Sequence, residues 1–202
     1  MGRSGPVCGP ERFLWGTEVR WALTLAAMSV VRRIRADEWE KARMLRLAAL
    51  ADPAAPIAFL DTIEAALQLP EESWESRTQA AATGTTGQFV AEEPSGEWIG
   101  SITVLVFEAG TEDYWGHPVL GRRANVVGVF VKPEHRGSGT VDALFDAAKK
   151  FAKEQGFVEL RLEVHSSNAR ARAAYERVGF EETGAVIESD SGCDVVMVAS
   201  LR

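Results

Sequence analysis

Residues 131–145 read "VKPEHRGSGTVDALF". The apolar run "ANVVGVFV" (124–131) ends where this stretch begins. Such a nearly continuous run is the pattern of a central strand buried on both faces. Beyond the glycines, Val141, Leu144, Phe145, Ala148 and Phe151 recur at helical spacing, while Asp142, Asp146, Lys149, Lys150 and Lys153 take the opposite side. The quoted stretch is therefore a strand-to-helix junction, occupied by Arg136, Gly137, Ser138 and Gly139. A helix start offers unpaired N–H groups and a partial positive charge. Glycine permits positive φ and a close approach of backbone to ligand, and Arg136 adds a cation. Together these suit a phosphate or pyrophosphate. The spacing is neither the Walker pattern, since no Gly-Lys-Ser/Thr follows, nor the dinucleotide fingerprint. A plain turn would use the same glycines, so the junction alone leaves both readings open.

Upstream, "SVVRRIR" (29–35) reads as a strand, followed by a helix over 37–50 that Asp37 is placed to cap. "DPAAP" (52–56) breaks that helix. A second helix is expected over 57–69, and a third over 70–82 with Pro70 in its first position. The stretches 87–93 and 97–108 flank "PSG" as a hairpin, and 109–122 is a polar, aromatic loop. Downstream, "VELRLEV" (158–164) alternates as a strand, "NARARAAYERV" (168–178) reads as a helix stopped by Gly179, and "FEETGAVI" and "DVVMVASL" are two final strands. The order implies an α/β (α+β) fold with one mixed sheet and helices on both faces.

The chain has 202 residues, 46% of them hydrophobic, which suits one domain with a sizeable core. A net charge of −7 makes nucleic acid and anionic membrane poor partners. Two cysteines, Cys8 and Cys193, make no disulfide framework and no metal site, and a reduced cytoplasmic setting is expected. No apolar run reaches the roughly 20 residues of a membrane span. "WALTLAAM" (21–28) has the small-residue ending of a secretory signal, but the run is short and Glu11 and Glu18 precede it. Residues 1–27 are read as an N-terminal extension, with Met28 as a second start, and 28–202 as the domain.

The pattern Val131, Pro133, Arg136, Gly137, Gly139, an amphipathic helix, a strand, and then Asn168, Ala171, Tyr175, Gly179 and Phe180 resembles the GNAT superfamily of acyl-CoA-dependent N-acyltransferases. The resemblance covers roughly 29–200 and is concentrated in 128–180. It implies a mostly antiparallel central sheet, splayed between strands 124–131 and 158–164, with acetyl-CoA in the cleft. Pantetheine would pair with backbone near Val129 and Val131. The pyrophosphate would sit on the N–H groups of Gly137, Ser138, Gly139, Thr140 and Val141, beside Arg136. A backbone N–H near Phe130 would hold the oxyanion. The family pattern has Gly or Ala where this chain has Val141, a departure expected to weaken or shift the diphosphate.

The same resemblance makes Tyr175 the candidate general acid for the departing thiolate. Asn168, seven residues earlier on the same helix face, is a candidate contact for the pantetheine arm or phosphates. Relatives place a glutamate on the central strand as base, and residues 124–131 contain no carboxylate. His165 is the first substitute, acting through water, with Glu108, Asp113 and His117 behind it; Tyr114 and Trp115 are candidates for an acceptor pocket. The function implied is acetyl transfer from acetyl-CoA to a primary amine of a small molecule, amino acid or peptide N-terminus, without a metal. The alternative is a non-catalytic acyl-CoA sensor of the same fold. The apolar final strands offer a surface for a homodimer.

Overall fold

A computed structural model describes residues 29–189 and 192–202. The proposed extension 1–27 and second start Met28 lie outside the described residues. Among the described residues, seven strands form one sheet in the order β1-β2-β3-β4-β5-β7-β6. They are β1 (Val30–Arg33), β2 (Gly87–Glu92), β3 (Trp98–Phe107), β4 (Arg123–Val131), β5 (Glu159–His165), β6 (Glu181–Ser189) and β7 (Gly192–Ser200). Every neighbouring pair is antiparallel except β4 and β5. Five α-helices accompany them: α1 (Trp39–Leu50), α2 (Ile63–Leu67), α3 (Glu71–Thr83), α4 (Thr140–Glu154) and α5 (Ala169–Arg177).

Alternation along the strands splits the core into layers. On β2, Phe89 and Ala91 join Leu144, Phe145, Ala148 and Phe151 of α4, with Ala171 and Tyr175 of α5 packed alongside. Val90 between them points the other way, to a cluster with Ala42, Leu45 and Ala49 of α1 and Ala81 of α3. The sheet is thus covered on both faces, as its sequence order implies. Arg32 ties β1 to this frame through Glu92 at 2.7 Å and Glu38 at 2.6 Å.

Three local expectations need correction. Asp37 does not cap α1: Glu38 is the flanking residue and makes no side-chain cap, because its carboxylate takes Arg32 and the Arg35 N–H instead. The helix expected over 57–69 shrinks to Ile63–Leu67, capped by Thr62 and preceded by a 3₁₀ turn at Ala55–Ile57. There the Asp52 carboxylate accepts the Ala54 N–H at 2.9 Å and folds the chain into a turn. Pro70 flanks α3 with extended backbone (ψ 158°) rather than entering its first turn.

The parallel pairing of β4 with β5 is brief: Asn125 pairs with Arg161 and Val126 with Leu162. Immediately beyond, β4 carries a bulge. Ser101 and Thr103 of β3 face Phe130 and Val127, so two steps on β3 match three on β4, and Gly128 within the bulge has φ +63°. A bulge with glycine in the left-handed region bends its strand and raises its twist. It lies where β4 parts from β5, and a cleft opens there.

Phe145 is fully buried and meets Tyr175 and Phe180 edge-on, with centroids 5.4 and 5.3 Å away. Phe145→Ala should cost about 3–5 kcal/mol, read as a lowered denaturant midpoint. A loss below about 1 kcal/mol would show that this aromatic layer repacks freely.

Candidate active-site cleft

The cleft, of about 600 Å³, lies between the C-terminal end of β4, the start of α4, one face of α5 and the turn at 52–59. Val129, Phe130 and Val131 form one side. Because β5 has left, the β4 backbone here is an open edge within the sheet. Gly137 and Gly139 line the mouth with φ of +79° and +85°, conformations that side chains with a Cβ adopt at a cost. Gly139 flanks α4 directly. The first intrahelical bond runs from the Ala143 N–H to the Gly139 carbonyl at 3.1 Å, so the N–H groups of Thr140, Val141 and Asp142 precede it. Ser138 Oγ bonds the His135 carbonyl at 2.6 Å and Thr140 Oγ1 at 2.7 Å, which fixes the loop. Val141, the departure from the family pattern, is half-buried and on the cleft wall.

Arg136 reaches across the cleft. Its Nε donates to the Val131 carbonyl at 3.0 Å, and its terminal nitrogen pairs with Asp52. The Asp52 side chain is only 6% exposed. Burial alone would raise its pKa, but the Ala54 N–H, Arg136 and Arg170 outweigh that and hold it below the ordinary value. Asn168 makes a second tie. It is buried at the start of α5, where its Oδ1 accepts the Ala171 N–H at 3.2 Å and its Nδ2 donates to the Ile57 carbonyl at 3.4 Å. Asn168 is therefore a helix cap and a strut, and it is not among the residues lining the cleft.

Tyr175 lines the cleft from α5, and among the described residues no hydrogen bond engages its hydroxyl. Burial pushes its phenol up to about 12, against the opposing charge of Arg170. Arg170 and Arg177 line the same wall seven residues apart, Arg177 pairing with Asp142 at 2.9 Å.

His165 ends β5 on the open side of the splay, bonded through Nδ1 to Ser167 Oγ at 2.7 Å and paired in register with Asp194 of β7. It does not line the cleft. Glu108 pairs with Arg122 at 3.0 Å, while Asp113 pairs with Arg123 and accepts the N–H groups of Trp115 and His117. Tyr114 packs between Phe107 and Trp115, and its hydroxyl donates to Glu163. Asp113, Tyr114, Trp115 and His117 thus build the 109–122 loop, with Glu108 just before it, and all stay outside the cleft lining, whereas His135 lies within it.

Sequence reasoning missed Asp52 and the wall at Ala54–Phe59. Asp52 stands 84 residues from Arg136 and carries no local signal beyond its position in "DPAAP". Among the described residues no group of three or more His, Cys, Asp or Glu is placed to hold a metal, and no helix is long and apolar enough to cross a membrane.

The chain is 30% identical over 121 residues to the aminoglycoside N(6')-acetyltransferase type 1 of Stenotrophomonas maltophilia, covering 58% of this chain and 74% of that one. It is 35% identical over 63 residues to human N-acetyltransferase 8, covering 31% of this chain and only 28% of that protein's length. The solved PaiA N-acetyltransferase of Thermoplasma acidophilum, in complex with coenzyme A, superposes with a TM-score of 0.64 at 19% identity, covering 85% of this chain and 98% of that one. That likeness is one of fold. The model of the acetyltransferase (GNAT) family matches residues 46–180, two thirds of the sequence. This chain belongs to the GNAT family of acetyltransferases.

Proposed function

We propose that the protein transfers the acetyl group of acetyl-CoA to a primary amine on a small molecule, an amino acid or a peptide N-terminus. The observation that carries this reading is the open edge of β4 facing the glycine-flanked start of α4 across one cleft. An open strand edge suits the amides of a pantetheine arm. A helix start ahead of its first internal bond suits a diphosphate. Arg170 and Arg177 supply further cations along α5. The amine nitrogen attacks the thioester carbonyl carbon directly, a backbone N–H near Phe130 stabilises the oxyanion, and the carbon–sulfur bond breaks as the intermediate collapses.

Tyr175 faces the leaving sulfur in this reading. A phenol near 12 lies about three pH units above an ordinary thiol, so it is fully protonated at neutral pH but a reluctant acid. Its role is therefore to hydrogen-bond the developing thiolate, with the proton completed from solvent. The amine's own proton leaves through water on the open side of the splay, where His165 is the terminal acceptor. Histidine is the side chain whose charge changes near neutral pH.

Thiol release from acetyl-CoA across an amine panel tests the reading. Turnover with at least one amine class is expected. Coenzyme A binding without thiol release from any amine would favour the non-catalytic sensor. Tyr175→Phe should lower turnover about ten- to a hundredfold, the value of one hydrogen bond to a charged atom, with coenzyme A affinity unchanged. His165→Ala should displace the acidic limb of the rate profile; superimposable profiles would remove it from the proton path.

The chain has two tyrosines, and burial raises both phenols, Tyr114 further through the neighbouring Glu163 charge. A raised phenol contributes stability that is complete below the unfolded value near 10 and is lost as pH climbs through the folded value. An alkaline absorbance titration should show no tyrosinate at pH 10 in the folded protein and about half ionisation there once unfolded. Native tyrosinate appearing at pH 10 would mean that at least one ring is not enclosed.

A further inference from the structure

At the opposite end of the sheet, where β4 and β5 begin, a second depression of about 370 Å³ is lined by Arg122, Arg123 and Arg161, with the turn Gly156–Val158 and Glu159. The eight residue steps from Arg123 to Val131 put it roughly 25 Å from the cleft mouth. The three cations do not repel one another apart because each is fastened from behind. Arg123 pairs with Asp113 and Arg161 with Glu163, carboxylates only 4% and 5% exposed. The arginines keep 24% and 25% exposure and line the depression, whereas Asp113 and Glu163 do not. Arg122 stacks over Phe157, 4.3 Å from the ring centroid, and its terminal nitrogen covers the Gln155 carbonyl at 3.1 Å. That bond hides the negative C-terminal end of α4 from the depression. The guanidinium groups are thus oriented in advance, with N–H edges left over: Arg161 uses only Nε in its bond to Glu163, and Arg123 only one terminal nitrogen in its bond to Asp113.

Guanidinium planes held rigidly, with donors to spare, recognise tetrahedral or planar oxyanions through paired charge-assisted bonds. The geometry points to a binding site for a small dianion here, a phosphate or the phosphate of a compact monoester, separate from the acetyl-transfer cleft and independent of that reading. Glu159 on the rim is the one carboxylate lining the depression and sets an upper limit on affinity.

Inorganic phosphate titrated into the full chain and followed by two-dimensional amide NMR tests this. Saturable shifts are expected at residues 122–124 and 156–159, distinct from any at 137–141, where a helix start also attracts phosphate. Arg122→Gln, whose partner Glu108 is well exposed, leaves the fold intact and should weaken the first set about tenfold without altering the second. Glu159→Gln should tighten it. A parallel malonate titration separates the sources, since stronger saturation by malonate assigns the dianion to a dicarboxylate. Shifts confined to 137–141, shifts that never saturate at 122–124, or an Arg122→Gln protein that binds like wild type would each overturn the site.

Discussion

A β-sheet satisfies its backbone by pairing every interior strand on two sides, and β4 is paired on only one side past Val126. The cleft follows from that exception. The extra residue at Gly128 turns β4 away from β5 while keeping it registered with β3, so the sheet stays continuous on one side and splits on the other. The polar groups released by the split need partners. Arg136 takes one, the Val131 carbonyl, and the rest of that edge faces a cavity. That edge suits a ligand able to hydrogen-bond like a strand.

The cleft is held to shape by two polar ties rather than by apolar packing alone. Arg136 joins the phosphate-type loop to Asp52, and Asn168 joins the start of α5 to Ile57. Both residues are conspicuous in sequence, and both are readily read as ligand contacts. Their observed bonds go to the protein itself, and through them the turn at 52–59 becomes a wall. The cleft itself is lined instead by residues 129–131, by Gly137, Gly139, Val141 and Asp142, and by Tyr175 on α5.

Legibility from sequence tracks the range of the interactions involved. The junction at 136–139 and the α4 stripe are local, set by glycine conformation and 3.6-residue periodicity, and both stand where the residues put them. Gly128 inside an apolar strand is also a readable sign of a bulge. The failures are tertiary. Pro56 and the Asp52 turn, anchored from 84 and 111 residues away, cut the expected helix at 57–69 to five residues. The aromatic loop at 109–122 looks like a substrate wall by composition, yet Asp113 and Tyr114 are drawn inward by Arg123 and Glu163, partners that no spacing rule reveals. His165 ends β5 bonded to Ser167 and outside the cleft lining, so in the proposed reaction it connects to the cleft only through water.

The Asp52–Arg136 tie also bears on the order in which the chain assembles. The hairpin of β2 and β3 closes over a turn of five residues, 93–97, whereas this tie closes a loop of 84. The difference in closure entropy is about 2.5 kcal/mol. Contacts of such long reach form after the local ones that bring them together. The sheet and α4 can therefore consolidate first, with the wall at 52–59 settling last onto a scaffold already in place. The same asymmetry runs in reverse on the native side: a segment secured by two side-chain ties detaches at lower cost than any strand of the sheet.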